Sequence, residues 1–401
     1  MNKYFILTLL IIFSNFSFTQ EKTKIDLKYL FGDMRARHIG PALMSGRIND
    51  LENHPSNPRI IYAGTAGGGV WKSNDAGTTF NPIFDEYCQS IGAVSLDPNN
   101  PDKIIYVGTG ETWTRNSVSI GDGLYKSTDG GNNWRSVLKV DKWTGVTDII
   151  VDKRDNNVIY AATWQRHRNV AAYMGGGPGT KIYKSKDGGD TWKQLKVGLP
   201  SGNLGKIGLA ISEINPDILY AAIELDRRKG AVYRSSNGGE SWKKMSDTVS
   251  GATGPHYYQE LVASPHVLDK IYLMDVRVQV SDDGGKTFNR MSEKGKHSDN
   301  HSMTFKKNDP NYLLVGTDGG IYESFDDTKT WKFINNLPLT QFYKLAVDDS
   351  YPFYNIYGGT QDNNTQGGPS RTFKSQGITN SDWFVLLGGD GHQPATEPGN
   401  P

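Results

Sequence analysis

Ser127-Thr128-Asp129-Gly130-Gly131-Asn132-Asn133-Trp134, entered through Leu124-Tyr125-Lys126, is a stretch that occurs six times in the chain with variations. Aspartate and asparagine side chains bond backbone N–H groups of their own turn, and glycine supplies the positive φ that other residues resist. The closing aromatic residue can pack beneath the turn and bury roughly 150–250 Å². The stretch therefore predicts a tight reversal between two antiparallel strands, with a structural and not a catalytic role.

The six copies share a serine, an aspartate or asparagine, and an aromatic residue in fixed places. The sixth copy has Thr328 where the others have glycine. We predict that the shared acidic or amide residues are structural, and they are spaced 43 to 58 residues apart: Asp75, Asp129, Asp187, Asn237, Asp283 and Asp326.

A second signature, a proline-rich turn followed by a short apolar strand, recurs beside these copies. Residues 97–101 (Asp-Pro-Asn-Asn-Pro) before residues 104–109 (Ile-Ile-Tyr-Val-Gly-Thr) are a clear example, and seven such strands are present. The irregular period matches four-stranded blades. We predict an all-β fold, a β-propeller of four-stranded antiparallel blades, with about seven blades present and an eighth begun at the C-terminus from residue 391.

The pattern Ser-x-Asp-x-Gly-x-x-Trp/Phe resembles the Asp-box, or bacterial neuraminidase repeat, of sialidases, xyloglucan-hydrolysing glycosidases and the sortilin N-terminal domain. The resemblance covers residues 33–401 and implies a propeller, in a group that includes both enzymes and binding proteins. The xyloglucan-hydrolysing relatives carry a catalytic aspartate after the first Tyr-Ala-x-Thr strand, where this chain has Ala66. Sialidases grip a carboxylate with three arginines, whereas the corresponding opening here offers only Arg47. These departures favour a binding protein over either enzyme.

The N-terminus and the composition limit the domain organisation and the partners. Lys3 and the apolar run after it predict a signal peptide at residues 1–20, followed by a linker at 21–33 and the propeller at 34–401, which we predict to be C-terminally truncated. The formal charge of +1 leaves no electrostatic footprint for nucleic acid. Cys88 is the one cysteine, so no intrachain disulfide can form.

Chemistry is expected on one face of the propeller. Loops between the second and third strands of a blade open on the same face as loops that lead to the next blade, away from the repeat turns. A glycosidase needs two carboxyl groups roughly 5–10 Å apart, and three residues of these loops could supply them: Glu111, Asp299 and Asp390. The ligand-binding candidates are polar or aromatic residues near the mouth of the central channel: Arg47, Trp113, Trp164, His256, His301, Asp318 and His392.

These candidates divide by chemistry. The histidines suit proton transfer or polar contacts, and Trp113 and Trp164 could stack on sugar rings or grip peptide side chains. The spacing of His297, Asp299 and His301 is not diagnostic of a metal site, so we predict no metal and no cofactor.

We predict a secreted protein, extracellular or periplasmic, that binds an extracellular glycan or peptide at this face. The alternative is a glycoside hydrolase with a carboxylate pair at the channel mouth. We predict no nucleic-acid partner and no membrane insertion after signal removal, with further propeller blades of a longer protein as neighbours.

Overall fold

The structure is a computed structural model that describes residues 32, 37, 39–40, 43–113, 119–226, 229–250 and 258–400. The predicted signal peptide and nearly all of the predicted linker lie outside the described residues. Within the described ranges the chain folds into strands and one short 3-10 helix, Asn380–Asp382.

Seven antiparallel sheets of four strands follow one another along the chain, each with its strands in sequence order. Sheets 1 and 2 contain β1 (Ile48–Asn53), β2 (Ile61–Thr65), β3 (Val70–Ser73), β4 (Asn81–Pro82), and β5 (Ile91–Leu96), β6 (Ile105–Thr109), β7 (Leu124–Ser127), β8 (Arg135–Leu138). Sheet 3 contains β9 (Thr144–Val151), β10 (Ile159–Gln165), β13 (Ile182–Ser185) and β14 (Lys193–Gln194), and it is interrupted by a two-stranded hairpin, β11 (His167–Arg168) and β12 (Tyr173–Met174).

The remaining four sheets have the same topology. Sheets 4 and 5 contain β15 (Ile207–Ile211), β16 (Leu219–Asp226), β17 (Lys229–Ser235), β18 (Lys243–Ser246), and β19 (Leu261–Ala263), β20 (Ile271–Leu273), β21 (Gln279–Ser281), β22 (Asn289–Arg290). Sheets 6 and 7 contain β23 (Asn300–Lys306), β24 (Asp309–Thr317), β25 (Gly320–Ser324), β26 (Lys332–Ile334), and β27 (Lys344–Val347), β28 (Asn355–Gly359), β29 (Thr365–Pro369), β30 (Phe384–Leu387). The predicted all-β fold of four-stranded antiparallel sheets is confirmed.

Sheets 1 to 6 form a closed ring. Among the described residues, six apolar clusters lie one between each pair of neighbouring sheets, and the last of them packs Ile48 and Leu51 of sheet 1 against Leu314 and Ile321 of sheet 6. The first strands of these six sheets line a central cavity of ≈ 550 Å³. Burial of apolar surface between sheets therefore closes the ring after six sheets.

Sheet 7 lies outside this ring, which the count of repeats did not predict. Its first and last strands expose apolar side chains that the equivalent strands of the ring bury: Leu345, Val347, Phe384, Val385, Leu386 and Leu387. Residues 391–400, where we expected an eighth unit to begin, contain no strand and run beside β27, where Thr396 Oγ1 donates to Val347 O at 2.8 Å.

The repeat turns form as the residue chemistry requires. Ser127 Oγ donates to Asp129 Oδ1 at 2.8 Å and accepts the Gly131 N–H at 2.9 Å, while Trp134 Nε1 donates to Gly131 O at 3.0 Å and to Ile83 O of the preceding sheet at 3.2 Å. The same serine-to-acid or serine-to-amide bond occurs in the other five turns, at Asp75, Asp187, Asn237, Asp283 and Asp326. These side chains are engaged within their own turns.

No helix in the described part of the chain has the length and apolar character needed to cross a membrane.

Candidate functional site

Three loops bring opposite charges together at one end of the central cavity. Arg47 precedes β1, Glu111 follows β6 and Asp318 follows β24, so each lies where a strand ends at the rim of the ring. Arg47 Nη1 lies 2.5 Å from Glu111 Oε1, and Arg47 Nε lies 2.6 Å from Asp318 Oδ1. The guanidinium carbon lies 3.6 Å from the ring centroid of Trp113. The structure thus places four of the predicted site residues in contact.

A second group continues this network toward the ring axis. His301 Nε2 lies 2.8 Å from Asp318 Oδ1, and its Nδ1 lies 3.9 Å from Glu260 Oε1. Lys206 Nζ donates to Glu260 Oε1 and, at 2.6 Å, to Thr112 O. Our sequence reasoning missed Lys206 and Glu260. The signal that could have found them is their position, because both precede the first strand of a sheet, as Arg47 does.

Burial and pairing together set the charges of this network. Burial alone would raise the pKa of Asp318, but Arg47 and His301 lower it well below its usual range. Burial alone would lower the pKa of His301, but its bonds to Asp318 and Glu260 raise it. For Glu111 burial prevails, and its pKa is raised although Arg47 opposes the shift. These groups are ion pairs that hold the loops together.

The two predicted stacking tryptophans are inaccessible, which corrects that expectation. Trp113 is 3% exposed and Trp164 is 0% exposed. Arg47 covers one ring, and the Arg166 guanidinium carbon lies 4.4 Å from the Trp164 centroid, so cation–π contacts occupy the space that a sugar would need. His301 is also 0% exposed and touches no ligand directly. These three residues support the site from within.

Asp299 is held in a fixed orientation at the same rim. Its Oδ1 accepts the Tyr258 hydroxyl at 2.6 Å and its Oδ2 accepts the Ser298 hydroxyl at 2.5 Å. Its backbone φ of 61° lies in the left-handed region, which costs a non-glycine residue energy and is often found at functional sites. Asp299 therefore presents an oriented carboxylate.

Asp390 lies beside a carboxyl group that our sequence reasoning did not select. Asp390 Oδ1 accepts the Asp362 N–H at 2.9 Å. Partial desolvation raises the pKa of Asp362, and the negative charges of Asp390, Asp318 and Asp299 raise it further. The left-handed φ of 59° at Asp362 gave no signal in the sequence. This is a close pair of carboxyl groups of which one retains its proton more readily.

The remaining predicted residues lie apart from the network. His392 is exposed, and its ring centroid lies 5.2 Å from that of Tyr343. His256 lies outside the described residues.

A small pocket separates the ring from sheet 7, and we call it the mouth pocket. Its volume is ≈ 80 Å³, and it is lined by Ser45, Gly46, Arg47, Glu111, Asp318, Gln341, Tyr343, Thr360, Gln361 and Asn363. Asn363 Nδ2 donates to Asp318 O at 2.7 Å, which joins the two walls. In the described part of the chain no group of three histidine, cysteine or acidic residues is placed to hold a metal ion.

Comparison with known proteins agrees with this geometry. The family model of sortilin-Vps10 (sortilin, neurotensin receptor 3) matches residues 122–253. A xyloglucanase of Acetivibrio thermocellus is 28% identical over 247 residues, which cover 44% of this chain and 27% of that protein. The crystal structure of a GH74 xyloglucanase from Xanthomonas campestris superposes with a TM-score of 0.54 at 14% identity, covering 81% of this chain and 59% of that chain.

The chain is a sortilin- and xyloglucanase-like β-propeller. This propeller spans about a quarter of the length of the Acetivibrio relative, and it spans 14% of a Paenibacillus xyloglucanase that is 26% identical over 165 residues. The structure of an ancestral GH74 enzyme, with a TM-score of 0.50 at 17% identity, covers 88% of this propeller and 48% of that chain. The likeness to these structures shows the fold.

Proposed function

We propose that this propeller contributes the catalytic face of a glycoside hydrolase that acts on a xyloglucan-type polysaccharide at the mouth pocket. The observation that carries the proposal is the pair of Asp362 and Asp390, in which the pKa of Asp362 is raised beside a second carboxyl group. Glycosidases use one carboxyl group that stays protonated and another that stays ionised. The curated relatives are named xyloglucanases, which supports this choice over binding alone.

The roles follow from the surroundings of each carboxyl group. Asp362 is the proton donor to the glycosidic oxygen, because its raised pKa keeps the proton available. Asp299 is the base or nucleophile, because Tyr258 and Ser298 fix its orientation. Glu111 and Asp318 share Arg47, so their charges are already balanced and they shape the pocket floor.

The walls of the mouth pocket offer groups that suit sugar hydroxyls. Gln341, Gln361 and Asn363 carry amides that donate and accept hydrogen bonds. Tyr343 is 42% exposed, so its ring can take the stacking role that Trp113 and Trp164 cannot. Secretion, directed by the predicted signal peptide at residues 1–20, is part of the same proposal.

Binding without hydrolysis is a second candidate, favoured by one residue. Ala66 occupies the place where the xyloglucan-hydrolysing relatives carry a catalytic aspartate, and its N–H bonds Arg47 O at 3.1 Å beside the pocket. A propeller that keeps the pocket but lacks that carboxyl group would bind the polysaccharide without cleaving it.

Release of reducing ends from xyloglucan by the whole chain tests the proposal. We expect Asp362→Asn and Asp299→Asn to lower the rate by about 10²–10⁴-fold, as loss of acid–base catalysis does. Asp282→Asn, which changes an exposed aspartate beside a repeat turn, should leave the rate unchanged. Polysaccharide binding with no hydrolysis supports the second candidate. Neither binding nor hydrolysis overturns both.

A further inference from the structure

The inner wall of the ring carries an alternating pattern of residue types. In the first strand of each ring sheet, or directly before it, one residue precedes the first large apolar side chain, and these residues are Asp50, Ala93, Asp148, Gly208, Glu260 and Ser302. Acids stand in sheets 1, 3 and 5, and small residues stand in sheets 2, 4 and 6. The positions are equivalent because the apolar residues after them pair in the same register with the second strands.

Two of these acids bond the neighbouring sheet. Asp50 Oδ2 accepts the Val94 N–H of sheet 2 at 2.6 Å, and Asp148 Oδ2 accepts the Leu209 N–H of sheet 4 at 2.6 Å. The third acid, Glu260, instead holds Lys206 and lies near His301. Asp50 and Asp148 therefore each connect an acidic sheet to the small-residue sheet that follows it.

The charges that face these two carboxyl groups are mostly negative. Asp50 faces Asp148 from sheet 3 and Glu260 from sheet 5, and Glu52 lies on its own strand. Asp148 faces Glu260 and Lys206, and Lys206 already pairs with Glu260. Farther along the cavity, Lys153 pairs with Glu213.

Burial, more than repulsion, sets the protonation of these groups. Burial raises the pKa of Asp50 to about 8 and that of Asp148 to about 7, with Glu260 adding to both shifts. Burial likewise raises the pKa of Glu52 to about 8. Near neutral pH the wall therefore retains protons that a solvated carboxyl group, with a pKa of about 4, would release.

We propose that Asp50 and Asp148 form a proton-dependent clamp, in which each protonated carboxyl group ties two sheets of the ring and deprotonation loosens both ties. The folded chain binds more protons than the unfolded chain between the two sets of pKa values, so stability falls as pH rises from about 4 to about 8. Deprotonation also places repelling charges on one wall of a cavity of ≈ 550 Å³. The clamp is independent of the function of the mouth pocket.

Thermal unfolding of the whole chain at pH 5.5 and pH 9 tests the clamp. Asparagine keeps an oxygen that can accept the Val94 or Leu209 N–H but carries no charge. We expect the Asp50→Asn, Asp148→Asn double variant to match the parent Tm at pH 5.5 and to exceed it by several degrees at pH 9. Asp309→Asn, a control at the far end of the cavity whose carboxylate accepts the Asn311 N–H, should match the parent at both pH values.

Amide exchange of the parent protein provides a readout that needs no variant. After correction for the intrinsic rate, protection of the Val94 and Leu209 amides should fall between pH 6 and pH 9. Unchanged protection of both amides overturns the clamp. So does a double variant whose Tm lies below that of the parent by the same amount at both pH values.

Discussion

Arg47 donates its Nε hydrogen to Asp318 Oδ1 across 2.6 Å, although 271 residues separate the two in sequence. The bond joins the start of the first sheet to the end of β24 in the sixth, which are the two sheets that close the ring. One buried ion pair thus joins ring closure to the floor of the mouth pocket.

Arg47→Ala should lower the free energy of unfolding by about 3–5 kcal/mol, because it leaves Glu111 and Asp318 buried without their partner. Chemical denaturation measures the change. Arg135→Ala removes an exposed ion pair with Asp190 and should cost no more than about 1 kcal/mol. Equal losses in the two variants would show that the Arg47 pairs are not buried as described.

His301 should make stability depend on pH above neutrality. Its pKa is raised, so its contribution is fully present below the ordinary histidine value of about 6.5 and is lost as pH rises through the folded value. Denaturation at a series of pH values should show this decline in the parent and a shallower one in His301→Gln. An unchanged slope in the variant would assign the decline to the channel carboxyl groups alone.

Thr328→Gly should stabilise the sixth repeat turn by about 1 kcal/mol, because Thr328 has a φ of 71° where the other turns have glycine. The reciprocal change, Gly131→Thr at a φ of 97°, should destabilise the second turn. Thermal unfolding compares the two. A loss of stability in Thr328→Gly would contradict the turn chemistry described here.

Sheet 7 should cause self-association of this chain. Leu345 is 59% exposed and Leu387 is 63% exposed, on the first and last strands of the sheet, and exposed apolar strand edges pair with other chains. Sedimentation velocity should show less association in a Leu345→Lys, Leu387→Lys variant. Val197→Lys, at an exposed valine in the loop after β14, is the control that should leave association unchanged.

Much of the fold could be predicted because it is encoded locally. The turn residues and the apolar strands before them specify seven sheets, and each sheet forms from residues close in sequence. The closure of the ring after six sheets could not be predicted, because it depends on Ile48 packing against Leu314, a contact that no repeat encodes. The position of sheet 7 outside the ring follows from the same contact.

The site divides in the same way. Strand ends predicted that Arg47, Glu111, Asp318 and His301 meet, because equivalent loops share one rim. The burial of Trp113 and Trp164 was missed, because arginines from distant loops cover their rings. Asp362 was missed because its backbone conformation and its contact with Asp390 arise only in the folded chain.

The mouth pocket is the central claim, and amide exchange with a xyloglucan oligosaccharide measures its location most directly. At saturating oligosaccharide, protection should increase in residues 45–47, 341–343 and 360–363, which line the pocket. The repeat turns on the opposite face, such as residues 129–133, should exchange as in the free protein. Protection confined to those turns, or no change anywhere at saturation, would contradict the placement of the site.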